Sequence, residues 1–277
     1  MIKKSLATVS LFLCTIAHTH GENAQRIISL GGSITEIAWA LGAEDRIIAC
    51  DSSSQFPAEV RDLTQVGYVA AVSAEGLIAE KPDMIIASSR LGPPAAVEIL
   101  KNTGIPLKIF PNPNDAASLE SVVMGIGEAL GLEESAKQLW SNIKADLAMV
   151  NELTAAKPET RVVFLLGRGG APLAAGTGTQ AAGIISLAGG TNIFSDYSGY
   201  KSVTTESLIS EAPDFILIGA SFRNPGSDPK SMLENMGLAQ VGEVTQAKVK
   251  ILDMGKFLTF GPRTGDAAKE LAEIFTD

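Results

Sequence analysis

Short apolar runs alternate with amphipathic stretches along this chain, and that alternation predicts an α/β fold. Residues 84–87 form one such run directly after a Pro-Asp pair, as in a strand that is covered on both faces. The stretch before it, from Ser73 as N-cap to Pro82, predicts a short helix. This helix, turn and strand form the unit around which the first half of the chain is organised.

The same unit returns in the second half of the chain at an offset of 131 residues. Glu75 corresponds to Glu206, and Pro82-Asp83 corresponds to Pro213-Asp214. Two copies of one unit predict two similar lobes. Because both pairs share one offset, chance similarity is the weaker interpretation.

A long amphipathic stretch lies between the two copies. Apolar residues recur at helical spacing here, at Ala136, Trp140, Ile143, Leu147 and Val150. A helix of about 22 residues spans about 33 Å, and this one contains neither glycine nor proline at which to bend. We therefore predict a rigid connecting helix. The predicted organisation is a signal peptide over residues 1–21, an N-terminal lobe over 22–132, the connecting helix over 133–157 and a C-terminal lobe over 158–277.

Local signals add detail to this plan. Ser33-Ile34-Thr35-Glu36 has the pattern of a capping box that opens a helix, and Thr179 is placed to cap a later one. Residues 88–94 form a loop at the carboxyl end of a predicted strand, which is the edge where open α/β sheets bind ligands.

The start of the chain predicts export. Lys3 and Lys4 precede an apolar segment over residues 6–17 that is too short to span a bilayer. Cys14 lacks the small residues that precede a lipoprotein cysteine, so we expect a soluble periplasmic protein. Without the two lysines, 20 basic residues face 31 acidic ones. This acidic balance argues against nucleic acid as a partner.

The residue types that most enzymes and zinc sites need are missing after the predicted cleavage site. His18 and His20 are the only histidines, and both lie beside that site. Cys50 follows an apolar strand, so we expect a buried, inert thiol. A Ser-His-Asp or Cys-His arrangement is therefore impossible, and imidazole ligands for zinc or manganese are absent. The sequence predicts a binding protein rather than an enzyme.

Tyrosine is rare in this chain, and its positions are informative. Tyr68, Tyr197 and Tyr200 all precede a copy of the repeated helix. Tyr68 shifted by 131 falls one residue from Tyr200. Pseudo-symmetry would therefore place tyrosines on facing walls of one cleft, although each could instead simply pack with its hydroxyl in water.

The stretch Val66-Gly67-Tyr68, followed by Ser73-Ala74-Glu75-Gly76 and a Pro-Asp strand, resembles the periplasmic haem-binding proteins of ABC haem importers. These belong to the helical-backbone class, or class III, of periplasmic binding proteins. Further class motifs lie at residues 31–36, 188–192 and 260–263. The resemblance implies an α/β fold of two three-layer α/β/α lobes, joined by one long rigid helix and enclosing a ligand cleft, with no catalysis.

The resemblance also implies roles for individual residues. The matching tyrosine, Tyr68, would be the axial ligand to the iron of haem, the transported ligand. A phenol must ionise to bind ferric iron, and a nearby guanidinium favours that. Members of the family often carry an arginine two residues after the tyrosine, where this chain has Ala70. Tyr200 would line the ligand site, and cations at the ligand edge would hold the propionates, namely Arg90, Arg168, Lys201 and Arg223.

The partner implied by the resemblance is an inner-membrane ABC permease with its ATPase. Glu75 and Glu206 are first-turn acids that favour the helix dipole, and in the family one such glutamate per lobe docks into the permease. We therefore expect a monomeric haem receptor without direct membrane insertion. The alternatives are a receptor for cobalamin or a ferric siderophore, and an exported enzyme built on this fold.

Overall fold

The computed structural model describes residues 24–167, 172–220 and 228–276, with the side chains of 242–244 left out. In the N-terminal lobe, five parallel strands pair in the order β3-β2-β1-β4-β5. They are β1 (Ile27–Leu30), β2 (Ile47–Cys50), β3 (Thr64–Gln65), β4 (Met84–Ser88) and β5 (Leu107–Phe110). Every residue of β4 is buried, as the apolar run predicted. The lobe's helices are α1 (Gly32–Ala38), α2 (Ala74–Ala79), α3 (Pro94–Lys101) and α4 (Ala116–Leu130).

The described part of the C-terminal lobe contains a mixed sheet. Its strands pair in the order β11-β10-β6-β7-β9, and β8 also pairs with β6. They are β6 (Thr160–Leu166), β7 (Leu173–Ala175), β8 (Gly190–Asn192), β9 (Tyr200–Ser202), β10 (Phe215–Ala220) and β11 (Lys248–Asp253). The β6–β7 and β7–β9 pairs are antiparallel and the others are parallel. The helices are α6 (Gln180–Leu187), α7 (Thr205–Glu211), α8 (Pro229–Asn235), α9 (Ala239–Thr245), α10 (Met254–Phe257) and α11 (Thr264–Ile274).

Each sheet has a hydrophobic core on both faces, which makes each lobe a three-layer structure. In the N-terminal lobe, one core includes Ile27 and Ile126 and the other includes Ile28 and Leu77. The C-terminal lobe repeats this division around β6, whose alternate residues enter different cores. The predicted fold of two α/β lobes is confirmed.

The helix α5 (Glu133–Thr154) joins the lobes. It packs against α4 on one side and α11 on the other. Leu147, near its middle, packs against the cores of both lobes. The predicted connecting helix is confirmed, and the lobe boundaries assigned from the sequence stay predictions. Among the described residues, none of the helices has the length and apolarity to cross a membrane.

The repeated unit has the same anchoring in both lobes. Asp83 Oδ2 accepts from the backbone N–H of Arg26 at 3.0 Å, and Asp214 Oδ2 accepts from that of Arg161 at 2.7 Å. Each arginine in turn donates to a glutamate carbonyl at the C-terminal end of the repeated helix, that of Glu80 directly after α2 or that of Glu211 at the end of α7. The Pro-Asp turn thus ties the helix of each copy to the first strand of its sheet.

The predicted capping box at Ser33–Glu36 is wrong. The helix begins at Gly32 after Gly31, whose φ is 113°, and Gly31 provides no side-chain cap. Ser33 Oγ instead donates to the carbonyl of Phe260 in the other lobe. Glu36 is also directed across the lobe boundary. Contacts between the lobes therefore use the two side chains that a capping box would need.

Glu36 and Arg263 form a two-pronged ion pair between the lobes. Arg263 Nε lies 2.7 Å from Glu36 Oε1, and Nη2 lies 2.9 Å from Oε2. The Glu36 side chain is only 3% exposed, and the guanidinium carbon also lies 3.9 Å from the centroid of the Phe56 ring. Burial raises the pKa of the Glu36 carboxyl, and the hydrogen bonds from Arg263 oppose that rise.

Arg263→Met should destabilise the protein by about 3–5 kcal/mol at pH 8, because it leaves the Glu36 carboxylate buried without a partner. Without the guanidinium, burial keeps the pKa of Glu36 above its unfolded value, so protonation relieves the loss as the pH falls. Urea unfolding at pH 8 and pH 5, each compared with wild type, should show the smaller loss at pH 5. In the double variant with Glu36→Gln, the pH dependence should disappear. An equal loss at both pH values in the single variant would contradict this account.

Candidate ligand-binding site

A cavity of about 750 Å³ lies between the lobes, where the carboxyl ends of the parallel strands face each other. The N-terminal lobe contributes Tyr68 and Arg90 to its lining. The opposite wall is largely apolar and comes from the C-terminal lobe, with Leu166, Leu173, Met254 and Leu258. The volume lies within the usual range of small-molecule sites, which is about 300–1,000 Å³.

A smaller polar cavity of about 110 Å³ shares Arg90 and Gln180 with the large one. Ser33, Ser53 and Ser88 also line it. The inter-lobe space therefore combines an apolar wall with hydroxyl, amide and guanidinium groups.

Tyr68 enters the cavity because of the turn that carries it. Gly67 has a φ of 94°, a conformation that favours glycine, and Tyr68 then precedes a 3₁₀ turn at Val69–Ala71. The Tyr68 side chain is 40% exposed. Its hydroxyl oxygen accepts a hydrogen bond from Nη2 of Arg90, whose guanidinium carbon lies 5.6 Å from the ring centroid. The loop after β4 thus brings a cation to the phenol.

Tyr200 lines the same cavity from the C-terminal lobe. It begins β9 and is half-buried. Burial raises the pKa of its phenol, while the Thr179 hydroxyl and the positive charge of Arg90 oppose that rise. Arg90 therefore acts on a tyrosine from each lobe.

The other tyrosine and Lys201 are directed toward each other. The Tyr197 hydroxyl donates to the carbonyl of Ala174 at 3.1 Å, and Lys201 Nζ lies 4.6 Å from the Tyr197 ring centroid. Lys201 is exposed beside the site rather than part of the cavity lining. Arg168 and Arg223, the remaining cations predicted for the site, lie outside the described residues.

Glu75 and Glu206 occupy equivalent positions on the two lobes. Each lies in the first turn of its helix, α2 or α7, and each is exposed. A backbone hydrogen bond from its own amide lowers the pKa of each carboxyl, and the hydroxyl of Ser73 or Thr204 adds to this effect. Ser73 also caps α2 through the backbone N–H of Gly76, as predicted.

Asp51, a fully buried carboxylate beneath the Tyr68 loop, was not predicted as a site residue from the sequence. An acid directly after an apolar strand, followed by three serines, is a signal that could have identified it. Cys50 beside it is buried as predicted, and burial raises the pKa of its thiol to about 11. The two neighbours therefore differ in role, because Asp51 is heavily hydrogen-bonded and Cys50 is an inert core residue.

Known proteins resemble this chain over most of its length. Residues 27–253 match the family described as "Periplasmic binding protein". The uncharacterized ABC transporter substrate-binding lipoprotein YvrC of Bacillus subtilis (strain 168) is 30% identical over 262 residues, covering 91% of this chain and 81% of the relative. The vitamin B12-binding protein of Photorhabdus laumondii is 28% identical over 272 residues, covering 96% and 94%. The structure of the periplasmic heme-binding protein BhuT in complex with two hemes has a TM-score of 0.82 and 31% identity, covering 91% and 98%.

Replacing Arg90 should be detectable at Tyr200. In Arg90→Met, we expect the pKa of Tyr200 to rise further, because a cation that favours the phenolate is removed. Selective ¹³C labelling of the three tyrosines gives signals that can be titrated separately by NMR. Tyr197 is the internal control, because its raised pKa comes from burial and from Asp196. An unchanged Tyr200 titration would show that Arg90 does not act across the cavity.

Proposed function

The chain belongs to the periplasmic binding protein family and has its class III fold, and from this premise we propose that it captures haem between its lobes and delivers it to an inner-membrane ABC importer. Proteins of this family bind substrates and work with ABC importers. We further propose that residues 1–21 direct it to the periplasm, where it acts as a monomer.

The observation that carries the proposal is the contact between Tyr68 and Arg90 inside the cavity. A tyrosine oxygen is a known axial ligand of ferric haem, and an adjacent guanidinium stabilises the phenolate that binds the metal. Arg90 comes from the loop after β4, so it supplies the cation that relatives often carry two residues after the tyrosine. Ala70 at that position is therefore compatible with haem binding.

The rest of the cavity suits a flat apolar ring with acidic arms. The apolar wall of the C-terminal lobe would cover a porphyrin face, and Tyr200 would close one side. Arg90 is positioned to hold a propionate. We propose Lys201 as a further candidate, which would have to move its Nζ from the Tyr197 ring to reach the cavity. Arg168 and Arg223 are further candidates from the sequence.

Vitamin B12 is the strongest alternative ligand, because a relative of similar length is a vitamin B12-binding protein. The pairing of Tyr68 with Arg90 favours haem, since a charged oxygen ligand matches an open axial site on ferric iron. A ferric siderophore fits less well, because its own oxygens already fill the iron coordination sphere.

Tyr68→Phe should abolish the tyrosine-type spectrum of the ferric haem complex and increase the haem off-rate by about ten-fold or more, because only the ligand oxygen is removed. The measurement is a visible titration with ferric haem, followed by transfer of the haem to a scavenging protein. Tyr197→Phe is the matched control, because its hydroxyl binds a backbone carbonyl instead of facing the cavity. A wild-type protein that binds cyanocobalamin and gives no haem spectrum would overturn the proposal.

We also propose that Glu75 and Glu206 dock onto the importer, one from each lobe. Reversing a charge at such an interface costs several kcal/mol, so Glu75→Lys with Glu206→Lys should lower ATP-driven haem uptake into vesicles by about ten-fold or more. Haem affinity should not change. Glu134→Lys is the matched control, because Glu134 is also an exposed acid in the first turn of a helix, α5. Full uptake by the double variant would refute the docking role.

A further inference from the structure

Two adjacent residues, Asp51 and Ser52, form hydrogen bonds with the backbone on both sides of Tyr68. The N–H of Val69 donates to Oδ2 of Asp51 at 3.1 Å. The N–H of Ser52 donates to the carbonyl of Gly67 at 2.7 Å. The loop therefore cannot shift Tyr68 without breaking a hydrogen bond on one side or the other.

Asp51 is itself fixed by other contacts in the described part of the chain. Its Oδ1 accepts from the N–H of Gly31 at 2.7 Å and from the Ser54 hydroxyl at 3.0 Å. Its Oδ2 accepts from the N–H and hydroxyl of Ser53 at 3.0 and 2.7 Å. Together with its hydrogen bond from the N–H of Val69, these contacts make the carboxylate connect the end of β1, the segment after β2 and the Tyr68 loop. A fully buried carboxylate needs such a set of donors, and two of the donor residues, Gly31 and Ser53, also line the smaller cavity.

The same network reaches the loop that carries Arg90. The N–H of Gly92 donates to the carbonyl of Val69 at 3.0 Å, and the N–H of Val72 donates to the carbonyl of Gly92 at 2.9 Å. The Tyr68 loop and the Arg90 loop are therefore paired through their backbones. Because Asp51 holds Val69, it fixes the point at which the two loops meet.

We infer that Asp51 is a positioning residue, whose carboxylate holds the Tyr68 phenol beside Arg90 in the cavity. The inference rests on the proposed function for the identity of the ligand, while the geometry can be tested in the ligand-free protein. Asparagine is a sharp probe of this role. A carboxylate only accepts hydrogen bonds, whereas an amide would direct N–H groups at donors that now bind the carboxylate.

In Asp51→Asn, we expect the off-rate of ferric haem to rise by about ten- to a hundred-fold, the size of effect found when partners of a metal ligand are removed. The spectrum of the ferric haem complex should also change, because the phenol oxygen of Tyr68 is no longer held in one position relative to the iron. The matched control is Asp83→Asn. Asp83 likewise accepts from backbone N–H groups, those of Gln25 and Arg26, but it precedes β4, at the opposite end of that strand from the Arg90 loop, and it lies outside the cavity lining. The Asp83→Asn variant should lower the unfolding midpoint and leave the ferric haem spectrum and the haem off-rate unchanged.

A second variant tests the same contact if Asp51→Asn does not fold. Val69→Pro removes the N–H that reaches Asp51 and keeps an apolar side chain at this buried position, which is the first of a 3₁₀ turn, where proline is well tolerated. It should raise the haem off-rate in the same way. A folded variant of either kind with the wild-type spectrum and off-rate would overturn the inference.

The ligand-free protein separates this inference from the proposed function. With ¹³C-labelled tyrosine, Tyr68→Phe identifies the Tyr68 signal among the three tyrosines. That signal should shift or broaden in Asp51→Asn and stay in place in Asp83→Asn. If the Tyr68 signal responds in this way while neither the wild type nor any variant binds haem, the positioning role of Asp51 is supported and the proposed ligand is wrong. If the Tyr68 signal does not respond to Asp51→Asn, the positioning role is wrong whatever the ligand.

Discussion

The ion pair between Glu36 and Arg263 sets the relation between the lobes on which the cavity depends. The helix α5 packs into the core of each lobe and joins the two lobes along one line. The Glu36 carboxylate and Arg263 guanidinium add a second attachment, and their paired hydrogen bonds at 2.7 and 2.9 Å fix orientation as well as distance. The Glu36 carboxylate is almost fully removed from water in this contact, so it is not stable there without the guanidinium.

A third contact between the lobes joins Asn114 to the backbone near the start of α6. Asn114 Nδ2 donates to the carbonyl of Gly178 at 2.8 Å, and a Cβ added at Gly183 would lie only 1.8 Å from the Asn114 carbonyl oxygen. The backbone of one lobe therefore lies directly against a helix of the other. Glycine at this position is required by that close approach. With α5 and the ion pair, this contact favours small motions of the lobes over a wide hinge.

The sequence predicted the features that depend on local pattern. The repeated helix and Pro-Asp turn, the buried strand β4 and the long helix α5 each have a periodicity that a short window reveals. What lies far apart in the sequence was not predicted. Glu36 and Arg263 are 227 residues apart, and the pattern at Ser33–Glu36 was therefore interpreted as a helix cap. Tyr68 was singled out, but its contact with Arg90 depends on how two loops pair at the sheet edge.

The division of chemistry between the lobes explains how one fold can serve several ligands. In the proposed function, the groups that recognise iron, Tyr68 and Arg90, belong to the N-terminal lobe and are fixed through Asp51 to its sheet. The C-terminal lobe contributes mainly apolar side chains and Tyr200, which match the shape of a ligand rather than its metal. Metal recognition and shape recognition would therefore depend on different lobes. The segment from Met254 to Arg263 both lines the cavity and makes contacts between the lobes, so shape recognition is coupled to the way the lobes pack. A relative described as a vitamin B12-binding protein and a solved structure that holds two hemes are both similar to this chain, so the identity of the ligand is set by the residues of the site and not by the fold.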